Sequence, residues 1–342
     1  MSNRLHNDYM SNRLHNSNFT MDDIALELGL SKSTVSRALS DSGRISMETK
    51  NRVRECAKRH GFKPNLVAKA LAGKKTLNIA AVMPFQASAT QMMFFHECLS
   101  GIVSRAALSG YSVLVCMTES SENEILQNVL SDGKVDAVVL TQLKHNDENV
   151  ALLRRHGLPF VVIGSGAGDD IVHVDSRMKE NCAQFTELVT EKLPAASRVL
   201  FVCGSLDIEA NNNRLSGFLS GMESVKGKDV QYAVCTEPSD VADEISLKSW
   251  NLVLCSDDVV CMQVVEILNE NHLEIGRDVK IASFHDSVLL ESHVPSISAV
   301  KVDAYALGEK SSELSLNLVK GEKCESVNYV DCSFAMRAST GE

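Results

Sequence analysis

FTMDDIALELGLSKSTVSRALSDSGRISMETKNRVRECAKRHGF, residues 19–62, decides the fold of the first part of the chain. Thr20, followed three residues on by Asp23, is a capping-box-like start, and Ile24, Ala25 and Leu28 then share one helical face. Gly29 ends that helix. Ser31 is placed to cap a second one, Lys32–Leu39, whose inward face is Val35, Ala38 and Leu39. A third helix starts near Ser46 and runs to Gly61, burying Val53, Cys56 and Ala57. Two short helices joined by a tight glycine-containing turn, then a third, spell a helix-turn-helix. Its second helix must present polar side chains to enter a major groove, and Lys32, Ser33, Ser36 and Arg37 supply them. A plain three-helix bundle would carry the same caps, but not this crowding of Ser, Thr, Lys and Arg on one face.

Charge points the same way. Residues 1–76 hold 14 Lys and Arg against 7 Asp and Glu, a net of +7, whereas the remaining residues hold 20 against 37, a net of −17. A basic module on an acidic body is either a solvated basic face or a nucleic-acid module, and phosphates would attract the small end while repelling the large one. Further out, MSNRLHN occurs twice, at residues 1–7 and 10–16. A short direct repeat at a terminus reads as an alternative start, and residues 1–18 are expected to be disordered. After Pro64, the stretch NLVAKALAGKK (Asn65–Lys75) is helical in pattern, yet too short to be stable alone. It is either a linker or a helix that folds only when docked.

From Leu77 the texture changes. Short β-branched runs at 77–83, 111–117, 136–141, 159–164, 171–175, 198–204, 251–257 and 279–284 alternate with helical patterns such as 94–109, 176–192, 214–225 and 259–271. Continuous apolar strands alternating with helices mean parallel sheets covered on both faces. Some ten such units exceed one ordinary sheet, and the charged turn after Asp175 is the expected seam. Two doubly wound subdomains would leave a cleft at the carboxyl ends of their strands.

The chemistry-bearing motifs are mostly negative. GSGAGD (Gly164–Asp169) runs into a strand rather than a helix, so it reads as a turn and not a dinucleotide loop. His96-Glu97-Cys98 lacks the second histidine of a zinc-protease helix. Ten cysteines form no CxxC pair, and without a signal peptide they read as reduced thiols in a cytoplasm, mostly small core hydrophobes. No run is long and apolar enough for a membrane span. No cofactor, no metal and no enzymatic activity is expected.

Residues 19–76 closely resemble the DNA-binding headpiece of the lactose-repressor (LacI/GalR) family. The resemblance rests on D-I-A at Asp23–Ala25, S-x-x-T-V-S-R at Ser31–Arg37, G-F-x-P-N at Gly61–Asn65 and A-x-x-L-A-G at Ala68–Gly73. The rest of the chain is similar in layout to that family's effector-binding core, itself like a periplasmic sugar-binding protein. Echoes are N-R-L-S-G-F (Asn213–Phe218), S-F-H-D-S (Ser283–Ser287), D-A-Y-A-L-G (Asp303–Gly308) and R-A-S-T (Arg337–Thr340).

The resemblance implies the following. Lys32 and Ser33 stand at the base-reading positions, Lys32 able to donate to guanine, and Arg37 at a base- or phosphate-contacting arginine. Thr20, Ser31, Thr34, Ser36, Ser40, Arg44, Ser46 and Thr49 position the backbone or line the groove. Asn65, Ala68 and Leu71 belong to a hinge helix in the minor groove, with Leu71 the apolar wedge that bends the DNA. In the core, Arg214 is the ligand-clamping arginine, Asp257 the aspartate near the cleft, and Phe85 a stacking candidate. Gly164 stands where an acidic hydroxyl acceptor is often found, Ser256 replaces an asparagine, and Val302 fills a position that is polar in the lactose repressor. The Phe-Asp-Asp-like motif reads Phe284-His285-Asp286, in which His285 is either a ligand contact or a plain loop histidine.

The expected architecture is an N-terminal all-α helix-turn-helix headpiece on an α/β core of two doubly wound parallel-sheet subdomains. Its expected parts are the extension 1–18, the headpiece 19–64, the hinge helix and linker 65–76, and the core 77–342. The core is expected to divide into 77–172 plus 303–323 and 173–301 plus 324–342. The expected function is a cytoplasmic homodimeric repressor of a carbohydrate-utilisation operon. Its partners would be a near-palindromic double-stranded operator and a sugar-like effector, the SFHDS and VDAYALG stretches resembling repressors of α-glucoside operons. A regulator of the same family answering to a protein partner or to no ligand is the alternative, and an enzyme with a DNA-targeting arm the outsider.

Overall fold

The computed structural model describes residues 19–39, 45–62, 75–85, 89–118, 124–165, 168, 170–225, 229–236, 238–247 and 249–341. The chain divides into two compact units, 1–75 and 76–342.

In the first unit, α1 (Met21–Leu28), α2 (Lys32–Leu39) and α3 (Met47–Arg59) follow the expected layout. Thr20 and Asp23 form the reciprocal capping box. Gly29 closes α1 in the left-handed conformation at φ 66°, where a side chain would be strained. The small core is Ile24, Ala25, Val35, Ala38, Val53, Cys56 and Ala57. Phe19, Leu28, Leu39 and Phe62 pack around it.

The second unit carries two six-stranded sheets. Its elements are β1 (Asn78–Pro84), α4 (Ala89–Leu108), β2 (Ser112–Thr118), α5 (Glu124–Ser131), β3 (Ala137–Leu140), α6 (Glu148–His156), β4 (Phe160–Ile163) and β5 (His173–Asp175). There follow α7 (Met178–Glu191), β6 (Arg198–Val202), α8 (Glu209–Ser224), β7 (Gln231–Cys235), α9 (Pro238–Leu247), β8 (Leu252–Cys255) and α10 (Asp258–Glu270). The chain then forms β9 (Lys280–Ser283), α11 (Val288–Ser292), β10 (Ser298–Val302), α12 (Ala304–Val319), β11 (Val327–Tyr329) and β12 (Cys332–Ala335).

One sheet runs β11-β5-β4-β3-β1-β2 and the other β12-β10-β9-β8-β6-β7, so both repeat one doubly wound pattern. Every pairing is parallel except β10 with β12. The central strands are buried along their length, as sheets covered on both faces require. On the first sheet, α4 and α12 approach until their backbones meet: a side chain at Gly308 would run into the Cys98 carbonyl, and one at Gly101 into that of Tyr305.

The subdomain limits need a correction. β5 pairs with β4 through Val162–His173 and Ile163–Val174, and β11 pairs with β5 through Val327–His173. The first lobe therefore runs to Asp175 and takes in 327–329, rather than stopping at 172 and ceding everything after 323. The seam falls just after Asp175, and the chain crosses between lobes again after Val302 and after Tyr329. All ten cysteines are free, eight of them buried.

Candidate nucleic-acid interface and ligand cleft

In the first unit, α2 turns Val35 and Ala38 into the core and leaves Lys32, Ser33, Ser36 and Arg37 exposed, with Thr34 half-buried. Ser31 Oγ accepts the Thr34 N–H at 3.1 Å, and Ser46 Oγ accepts that of Thr49 at 3.2 Å. The caps fix where each helix starts, and so which side chains face outward. Lys32 Nζ donates to Asp22 Oδ2 at 2.8 Å. Both side chains are more than 60% exposed, so this pair is worth about 0–1 kcal/mol and yields readily to a base edge. Ser40, Arg44, Asn65, Ala68 and Leu71 lie outside the described residues.

In the second unit, a cleft opens at the carboxyl ends of both sheets. Ile163, Gly164, Ser165, Asp175 and Ser176 line it from the first lobe, and Asp257, Asp258 and His285 from the second. Phe94 and Phe95 of α4 and Asn211, Asn213 and Arg214 of α8 complete the wall. Arg214 Nη1 donates to Asn211 Oδ1 at 2.9 Å and lies 3.6 Å from Asp257 Oδ2. Asp257 also caps α10, Oδ1 accepting the Val260 N–H at 3.0 Å. Ser256 donates to its other oxygen at 3.2 Å. The lobes touch across the opening: Asn213 Nδ2 donates to Ser165 Oγ at 3.2 Å, Glu209 N–H to the Leu143 carbonyl at 3.1 Å, and His145 N–H to the Asp207 carbonyl at 2.8 Å.

His285 meets Phe94 edge-on at 5.3 Å. Burial, with Arg214 nearby, holds its pKa below the usual histidine value against the opposing pull of Asp258, Asp257 and Asp286, so the ring is neutral at pH 7. Asp258 is 1% exposed, and neither carboxylate oxygen has a hydrogen-bond partner among the described residues; the same holds for Arg214 Nε. Burial pushes Cys203 up to about 12 and raises Cys98 and Cys182 further, which keeps these thiols protonated and poor nucleophiles.

Gly164, Arg214, Asp257 and His285 line this one cleft. Phe85 and Asp286 do not join them. Phe85 is exposed, its N–H held by the Thr118 carbonyl of β2, and it faces a separate depression with Lys144 and His145. Asp286 accepts two bonds from the Arg337 guanidinium, at 2.7 and 2.8 Å, which ties the β9 loop to the chain end. Both its oxygens are committed to structure. Sequence reasoning passed over Asp258, Asn211, Asn213, Asp175 and Phe94. The signal for Asp258 was present, as a second acid directly after the apolar strand run.

A helix-turn-helix with a cationic outward face, carried on the same chain as a two-lobed core with a polar cleft, is the build of a DNA-binding transcription regulator. Two family models match the chain: "Bacterial regulatory proteins, lacI family" over residues 20–65 and "Periplasmic binding protein-like domain" over residues 196–340. The HTH-type transcriptional regulator MalR of Staphylococcus xylosus is 28% identical over 316 residues, covering 88% of this chain and 92% of that protein. Among solved structures, the lac repressor dimer bound to operator and the anti-inducer ONPF has a TM-score of 0.74 at 19% identity, covering 95% of this chain and 99% of that one. A probable maltose operon transcriptional repressor from Staphylococcus has a TM-score of 0.71 at 21% identity, covering 78% and 99%. Along most of its length the chain is similar to lacI-family transcription regulators. No helix among the described residues is long and apolar enough to cross a membrane.

Proposed function

We propose that the protein is a homodimeric, cytoplasmic repressor of a carbohydrate-utilisation operon. Two copies of α2 hold a near-palindromic operator, with Lys32, Ser33 and Arg37 at the bases and Leu71 as the wedge between the half-sites. An uncharged sugar in the cleft releases it. The ligand binds one arrangement of the lobes better than another, a coupling of about 1–3 kcal/mol.

The observation that carries the ligand reading is the set of buried polar atoms left unpartnered in the cleft. A buried carboxylate without donors costs on the order of 1–3 kcal/mol or more, and the guanidinium Nε–H of Arg214 wants an acceptor beside it. Sugar hydroxyls both donate and accept, so one ring satisfies Asp258 and Arg214 together. Charge narrows the class further. Glu209, Asp257 and Asp258 line the cleft with Arg214 opposing them and His285 neutral, a field that disfavours a phosphate ester or a free carboxylate. Within neutral sugars, an α-glucoside is favoured by the name of the maltose operon repressor that shares the fold.

The test is a thermal-shift panel of neutral glucosides and their phosphate esters, read through Trp250, the one tryptophan. A neutral α-glucoside should raise the melting temperature of the core and weaken operator binding. A response confined to phosphorylated sugars, or none at all, overturns the assignment. Selection from random duplexes at stated salt should enrich an inverted repeat of roughly 14–20 base pairs with a flexible pyrimidine–purine step at its centre.

A further inference from the structure

Outside both sites, three donors meet in the headpiece. Cys56 and His60 stand four residues apart, at the end of α3, so they share one helical face. Glu27, from the last turn of α1, reaches the same point. Cys56 Sγ, a ring nitrogen of His60 and a carboxylate oxygen of Glu27 all lie within 4.8 Å of one another, the one such group among the described residues.

The surroundings hold each donor in place. Phe19 stacks flat on the His60 ring with centroids 4.1 Å apart. Arg59 Nη1 donates to Glu27 Oε1 at 3.1 Å, which leaves Oε2 turned toward the histidine. That oxygen sits 2.9 Å from His60 Nε2 yet out of line for a hydrogen bond, and Nε2 is shielded from solvent without a partner among the described residues. The histidine's inward nitrogen thus faces the Glu27 carboxylate without a hydrogen bond, and the same carboxylate is the side-chain hydrogen-bond partner of the fully buried Cys56 thiol.

We propose that Glu27, Cys56 and His60 form a binding site for a thiophilic divalent cation of the zinc type, which staples α1 to the end of α3. Tetrahedral zinc takes S, N and O ligands at about 2.0–2.3 Å, which sets them roughly 3.3–3.8 Å apart, and water completes a three-residue set. The donors close to that spacing by small rotations of three side chains. Binding releases the Cys56 thiol proton to solvent, and any proton on His60 Nε2 with it. The Arg59 bond to the other carboxylate oxygen then orients the glutamate ligand, as outer partners do at metal sites. This revises the expectation of a metal-free chain: Cys-x3-His was visible in the sequence, but the third donor is 29 residues before it.

The test uses the full chain, stripped of metal by chelator and titrated with Co²⁺. One Co²⁺ per protomer is expected, with a thiolate-to-cobalt charge-transfer band and the visible bands of a four-coordinate ion, both displaced by equimolar Zn²⁺. Cys56→Ser should abolish the charge-transfer band. Because Cys56 is in the headpiece core, His60→Gln at the partly exposed helix end provides the second variant, expected to weaken Co²⁺ binding at least tenfold with its far-ultraviolet circular dichroism unchanged. Glu27→Gln should weaken it less. Absence of the band in the parent protein, or its survival in both Cys56→Ser and His60→Gln, overturns the proposal.

Discussion

The DNA-reading face and the ligand cleft are built by opposite means. On the headpiece, each proposed contact that the structure describes is on or beside a helix set by a cap three residues away, and most point into solvent. In the cleft, the working groups come from on or just after β5, α8, β8 and β9, far apart along the chain, and Asp258 and the Arg214 Nε are buried without hydrogen-bond partners among the described residues. An exposed face can exchange side chains at little cost to stability, which suits a surface that must match one base sequence. A buried polar cleft ties recognition to folding, because every group removed leaves another unsatisfied.

One way to break this contrast is the half-buried Asp286–Arg337 pair, which belongs to neither face. Asp286→Ala should cost the core about 1–3 kcal/mol by leaving the guanidinium only the Ile297 carbonyl among the described residues, seen as a lower denaturation midpoint in Trp250 fluorescence. A loss below 1 kcal/mol would mean the loop has another anchor. Ile24→Ala should remove about 2–5 kcal/mol from the headpiece core, abolishing operator binding while sugar binding at the core persists.

Arg214→Ala tests the cleft directly. Operator affinity should hold while effector affinity falls roughly ten- to a hundredfold, the worth of a charged hydrogen bond or two; loss of DNA binding instead would contradict the assignment. Thr20→Ala removes one cap and should cost the headpiece about 0.5–2 kcal/mol, read by circular dichroism of helix melting.

The smallest effect is in pH. The folded state holds His285 below its ordinary pKa of 6.5, so the unfolded chain binds more protons as pH falls. Core stability should therefore be full above about pH 6.5 and decline below it, and His285→Gln should flatten that slope. An unchanged slope in the variant would show that His285 is solvated.

What could be read from the sequence follows the same division. Thr20 with Asp23, Gly29, Ser31 and Ser46 act over one turn of chain, so their spacing alone placed three helices and the outward side of α2. The apolar runs placed most strands because buried parallel strands carry continuous hydrophobics, but β7, β10, β11 and β12 were missed. β7 and β11 are edge strands with exposed residues, and β12 is a half-exposed edge.

Adjacent residues had fates that only the tertiary structure decided. His285 turns into the cleft while Asp286 turns to Arg337, 51 residues on, and Asp258 has no hydrogen-bond partner among the described residues, beside the capping Asp257. Local capping and periodicity are properties of neighbours along the chain and are written in it. Whether a polar group is satisfied depends on what folding brings opposite it, and a linear sequence leaves that open until both lobes have closed around the same space.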